Sequence, residues 1–113
     1  MPMIEVKIAQ ALTGEEENFL QKGLTVGMRE IFGKPEEYIM VSVRQEALYL
    51  GTSKLDKGAF IAVRMMGAID REKAKTYTAR ATDTLKMVFG IDPANVYITF
   101  ETVATWGWKN GLF

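Results

Sequence analysis

The chain has 113 residues, 48% hydrophobic and 25% charged, with lysine plus arginine equal to aspartate plus glutamate at 14 each. That length and composition describe one globular domain with a real core, and the neutral balance leaves no electrostatic footprint for nucleic acid or an anionic membrane. Neither Cys nor His occurs, so disulfides, thiolate nucleophiles, zinc sites of the usual kind and every imidazole-based triad are excluded.

Met3 to Ile8 alternates, with Ile4, Val6 and Ile8 on one face and Glu5 and Lys7 on the other, which predicts a half-buried strand. Thr13-Gly14-Glu15-Glu16 opens a helix: Thr13 can cap it and Glu16, three residues on, completes a capping box. Leu20, Leu24, Met28 and Ile31 fall on one helical face, with Phe19 and Phe32 beside it. Gly23 and Gly27 lie on one side of this helix, where close packing against a sheet is the expected reason. Phe32-Gly33-Lys34-Pro35 reads as the helix end, since Gly tolerates the left-handed conformation there and Pro cannot continue the helix. Tyr38 to Val43 follows as a second strand, and Ala47 to Leu50 as a short extra one. Gly51 to Gly58 is a polar loop without a Walker or dinucleotide fingerprint.

The same order then returns. Phe60 to Met66 is an almost continuous apolar strand, interrupted by Arg64. Asp70 can cap a second helix, whose buried face is expected from Ala74, Tyr77, Thr78, Ala81, Leu85 and Val88. Phe89-Gly90-Ile91-Asp92-Pro93 repeats the helix-stop pattern of Phe32, 57 residues on, and Asn95 to Glu101 is the closing strand. Residues 1–113 therefore read as a duplicated strand–helix–strand unit, with halves of about 1–57 and 58–113. The expected fold is α+β with two layers: a four-stranded mixed sheet with two helices on one face, each helix joining a parallel strand pair. No helix remains for the other sheet face, so self-association is expected to cover it. There is no apolar run of membrane length and no signal-peptide pattern, which makes the cytoplasm the default compartment.

Taken together, the chain resembles the macrophage migration inhibitory factor family of the tautomerase superfamily over nearly all of its length. The resemblance rests on Met1-Pro2 leading straight into a strand, Gly33-Lys34-Pro35-Glu36-Glu37-Tyr38, Met66-Gly67-Ala68-Ile69, Val96-Tyr97-Ile98, and Gly107-Trp108 before a terminal Phe113. It implies a homotrimer of β-α-β-β-α-β subunits whose sheets wrap a central channel, with active sites at subunit boundaries and an amino-terminal proline as base. By this resemblance Pro2 is the catalytic proline, Lys34 the site lysine, and Tyr97 a site tyrosine supplied by a neighbouring subunit. Met66 stands where the family usually has Ile, Arg64 where animal members often carry His, and Thr99 where they often carry Asn. Tyr38, Trp106, Trp108 and Phe113 fall on pocket-wall positions. Two departures stand out. The tail reads Lys109-Asn110-Gly111-Leu112 after Trp108, unlike the familiar ending, and Gly58-Ala59-Phe60-Ile61 replaces the family's Cys-x-x-Cys, so no thiol redox activity carries over.

The implied chemistry is a cofactor-independent keto–enol interconversion of small phenylpyruvate-like α-keto acids, of the phenylpyruvate or dopachrome type. Proton abstraction beside a carbonyl needs a base that is free at working pH. An ordinary α-amino group has a pKa of about 7.7–8.0, and desolvation or nearby cations lower it. A free amino-terminal proline among Met66, Tyr97, Trp106 and Trp108, near Lys34 and Arg64, would meet both conditions. With Met1 attached, the Pro2 nitrogen is an amide and no base, so the reading requires removal of Met1. Blander readings stand beside it. Lys34 alone suits a helix C-terminus, the aromatics alone suit a core or interface, and Arg64 suits an inter-subunit salt bridge as well as a substrate carboxylate. The rival function is a cytokine-like or regulatory protein with a vestigial pocket and a protein receptor as partner. Lack of a signal peptide weakens secretion without excluding it, because members of this family can leave cells without one.

Overall fold

Alternation along the first strand decides which side of the sheet becomes core. In a computed structural model covering Met1 to Phe113, strand β1 (Pro2–Ile8) buries Pro2, Ile4, Val6 and Ile8 and turns Met3, Glu5 and Lys7 the other way. Helix α1 (Gly14–Phe32) follows with the expected capping box: the Thr13 hydroxyl accepts from the Glu16 amide at 3.1 Å, and the Thr13 amide donates to the Glu16 carboxylate at 2.9 Å. Gly33 ends it at φ 69°, its amide donating to the Arg29 carbonyl at 3.0 Å.

The next strand begins later than the sequence suggests. Glu36–Tyr38 forms one 3₁₀ turn after Pro35, and β2 runs Met40–Gln45. The turn is closed by the Ile39 amide on the Glu36 carbonyl at 3.0 Å; β-propensity at Tyr38 loses to this local bond. The extra strand is shorter than expected: β3 (Tyr49–Leu50) pairs antiparallel with β4 (Ser53–Lys54) in a hairpin that takes up part of the polar loop. Strand β5 (Ala59–Met65), helix α2 (Arg71–Phe89) and strand β6 (Val96–Thr102) repeat the first unit. Asp70 caps α2 through bonds from the Glu72 and Lys73 amides at 2.9 and 3.1 Å. A last ribbon pairs β7 (Gly107–Trp108) with β8 (Gly111–Leu112).

The main sheet has the order β2-β1-β5-β6. The outer pairs, β1–β2 and β5–β6, are parallel, as helix crossovers require, while the central β1–β5 pair is antiparallel. The fold is thus the expected α+β two-layer sheet with both helices on one side. Leu20, Leu24 and Met28 of α1 and Tyr77, Ala81, Leu85 and Phe89 of α2 pack with the inward strand residues into one cluster. Two helical assignments shift. Phe89 is buried in place of Val88, which is 49% exposed, and Phe19 is 53% exposed. The close approach of Gly27 is to the other helix and not to the sheet: a Cβ there would lie 3.2 Å from the Tyr77 ring, while one at Gly23 meets nothing within 4 Å. The Tyr77 hydroxyl donates to the Leu24 carbonyl at 2.9 Å, tying the helices together in the core. No helix is long and apolar enough to cross a membrane.

Candidate functional site

The head of β1 lies on the floor of an open cleft of about 480 Å³. Three separate stretches build its walls. β1 contributes Pro2 and Met3 after Met1, the register places Met3 beside Met40 of β2, and Pro2 lies opposite Met65 of β5. The 3₁₀ turn before β2 presents Glu37 and Tyr38, and the carboxy-terminal ribbon presents Trp106 and Trp108. These residues are distant in sequence and meet because β1 is central and both connections end beside its start.

Aromatic packing stiffens the wall. Tyr38 stands edge-on to Trp108 with ring centroids 5.6 Å apart, and the Phe113 ring lies tilted against Trp108 at 5.5 Å. The Phe113 amide donates to the Trp106 carbonyl at 2.9 Å, closing the ribbon on itself. Such pairs contribute about 0.5–1.5 kcal/mol beyond their area. Upstream, the Val103 amide donates to the Met65 carbonyl at 2.9 Å, which directs the chain from β6 toward this end of the sheet.

Charge here is spare. The Met1 amino group sits in this region with its pKa lowered below the ordinary value, first by desolvation and second by the positive charge of Lys34. Lys34 itself follows the α1 cap and is half-buried. Of the residues nominated from the sequence, the structure therefore brings Pro2, Tyr38, Trp106 and Trp108 into one cleft, with Phe113 behind Trp108 and Lys34 near its amino-terminal end. Met66 lies just past the end of β5, outside the cleft lining.

The remaining three lie elsewhere in the single chain. Arg64 is on the sheet face without helices, where its guanidinium reaches Glu5 at 2.8 Å and Glu101 at 3.8 Å. Thr99 is on the same face, opposite Ala62. Tyr97 is 61% exposed and lines a smaller apolar groove with Tyr49, Leu50 and Phe60. In register it lies at the end of β5 remote from Met65, so it cannot reach the Pro2 cleft of its own chain. Sequence reasoning missed Glu37, Met3, Ile39 and Met40 as lining residues. Strand register brings Met3 and Met40 together, and the 3₁₀ turn and its cap present Glu37 and Ile39; a single sequence displays neither.

The sequence family described as macrophage migration inhibitory factor matches residues 1–112. Among curated proteins, the chain is similar to macrophage migration inhibitory factor of Rattus norvegicus, with 28% identity over 115 residues, covering 100% of this chain and 99% of that protein. Among solved structures it is similar to Leishmania major MIF2, with 22% identity, a TM-score of 0.91, and coverage of 100% of this chain and 97% of that one. It is also similar to Pt0534 inactivated by 2-oxo-3-pentynoate, with 14% identity, a TM-score of 0.86, and coverage of 96% and 93%.

Proposed function

The chain belongs to the macrophage migration inhibitory factor family, and from that premise we propose that it is a cofactor-independent keto–enol tautomerase of phenylpyruvate-like α-keto acids, with Pro2 as general base once Met1 is removed. The observation that carries this reading is the position of Pro2: buried at the head of a central strand, on the floor of an open aromatic cleft.

In the proposed reaction the free Pro2 nitrogen takes a proton from the carbon beside the substrate carbonyl, leaving an enolate. The protonated Pro2 then returns that proton to the enolate oxygen, giving the enol and regenerating the free amine, and the reverse sequence restores the ketone. The surroundings suit the base. They depress the pKa of the Met1 amine, first by desolvation and second through the charge of Lys34, and a free amine at the adjacent Pro2 would meet the same two influences. Lys34 is the cation for the substrate carboxylate or the developing enolate. Tyr38, Trp106, Trp108 and Phe113 hold the aryl group, with Met66 at the margin. Pt0534, a protein of this fold, is inactivated by a 2-oxo acid, which motivates the choice of α-keto acids as probes.

The reading includes a homotrimer, in which Tyr97 and Thr99 of one subunit complete the cleft of the next. Its support is the helix-free sheet face, which carries Met40 at 68% exposure on one edge strand and Tyr97 at 61% on the other.

The test is a direct ultraviolet assay of keto–enol interconversion on two forms of known intact mass. Protein beginning at Pro2 is expected to be active, with kcat/KM governed by a base titrating below the ordinary amine value of about 7.7–8.0. Protein retaining Met1 is expected to be folded and close to inactive. Equal activity in the two forms removes Pro2 from the mechanism.

A further inference from the structure

Lys34 stands at the Pro2 end of the cleft, and Arg64 is engaged by two carboxylates on the open sheet face. The aromatic end has a cation of its own. β7 and β8 are joined by the two residues Lys109 and Asn110, with φ of 51° and 64°. Positive φ at both central positions is the primed hairpin turn, which favours Asn or Gly first. A lysine there crowds its Cβ against the following carbonyl, so turn formation does not account for its presence. Its ammonium does have a defined place, 4.8 Å from the centre of the Trp108 ring. None of the protein's ion pairs includes Lys109. Trp108 in turn lines the cleft and packs against both Tyr38 and Phe113.

We propose that Lys109 is a specificity-determining residue: a cation on Trp108, one residue beyond the cleft lining, that selects aryl carboxylates over their neutral analogues. A lysine resting on an exposed ring is weakly held and has a flexible stem. It can leave the ring for a carboxylate, which forms the stronger, charge-assisted bond. Of its two roles, Lys34 then keeps the developing enolate. This deepens the tautomerase reading by assigning substrate selection to the tail, and its binding test does not depend on turnover.

Both tryptophans of the chain, Trp106 and Trp108, line the cleft, so intrinsic fluorescence reports on it. Protein beginning at Pro2 is titrated with 3-phenylpropionate, a non-reacting aryl carboxylate, and with its neutral amide. Lys109→Asn keeps the turn and removes the charge. It is expected to raise the Kd of the carboxylate about three- to fivefold, the range of an exposed charge pair, and to leave the amide unchanged. Lys109→Arg is expected to bind like wild type, and salt to shrink the difference. In the tautomerase assay the same loss falls on KM for the keto acid. Carboxylate and amide weakening alike would make Lys109 a strut for the ribbon, and no change in either would make it irrelevant; both outcomes overturn the proposal. Charge-selective binding in a protein without tautomerase activity would uphold Lys109 and remove the proposed reaction.

Discussion

An arginine in an apolar strand needs a counter-charge, and Arg64 finds two in its own chain, Glu5 and Glu101. The side chains of the Arg64–Glu5 pair are 40% and 43% exposed, so the pair contributes about 0.5 kcal/mol after solvent screening. Arg64→Ala is accordingly expected to lower stability slightly in urea denaturation and to change KM for a keto acid and for its neutral ester alike. A selective rise for the acid would return Arg64 to the substrate. Glu46 is the second residue with a charge consequence. Its carboxylate accepts from Lys7 at 3.3 Å and Arg44 at 2.9 Å, and the Lys7 bond leads in holding its pKa below the ordinary value. A depressed carboxylate pKa stabilises the fold above the unfolded value, about 4.3, and that contribution is lost as pH falls through the lower folded value. Glu46→Gln is expected to flatten the acid limb of Tm against pH below about pH 4.3 and to leave its shape near neutrality unchanged.

At the level of elements, the two glycines inside α1 separate propensity from packing. Each interior Gly costs about 1 kcal/mol relative to Ala. At Gly23 nothing lies within 4 Å of an added Cβ, so Gly23→Ala is expected to stabilise by about 0.5–1 kcal/mol. At Gly27 the added atom meets the Tyr77 ring at 3.2 Å, and that ring is buried with its hydroxyl fixed to the Leu24 carbonyl. The ring has little room to yield, and overpacking costs about 1–3 kcal/mol, so Gly27→Ala is expected to be net destabilising. Denaturant midpoints of the two variants should move in opposite directions; movement in the same direction would mean that the helices slide apart easily. Burial also pushes the Tyr77 phenol well above its ordinary pKa, against a smaller opposing effect of Arg80. Tyr77 therefore serves as a neutral donor and not as a titrating group.

For the whole molecule, the unequal faces of the sheet carry the prediction. One face is sealed by two helices. The other is crossed by rows that end in apolar side chains, Phe60 with Tyr97 at one end and Met3 with Met40 at the other. Between them lie Glu5, Ala62 and Thr99, with Arg64 bonded across strands. A face mixed in this way suits contact between copies with a polar interior. Sedimentation equilibrium at micromolar concentration is expected to give three times the chain mass. A monodisperse monomer would remove the trimer and, with it, any role for Tyr97 and Thr99 at the Pro2 cleft.

The amino-acid sequence by itself determined the helices, because their signals are local. The Thr13–Glu16 box, the Asp70 cap and the glycines at Gly33 and Gly90 act within a few residues and stand in the structure as they read. Strand existence and the parallel pairing across each helix were legible for the same reason: period-two alternation and a helical crossover leave few alternatives. The start of β2 was not, because the 3₁₀ turn at Glu36–Tyr38 competes with β-propensity over three residues. Nor was the partner of Gly27, since helix spacing shows which side is narrow and not what faces it. Pro2, Tyr38, Trp106 and Trp108 could be nominated singly, but only tertiary structure gathered them into one cleft, added Glu37 and Met40, and paired Arg64 with Glu5 of its own chain. Sites of this kind depend on register and on where chain ends converge. Those are set by the packing of distant segments, which local sequence does not encode.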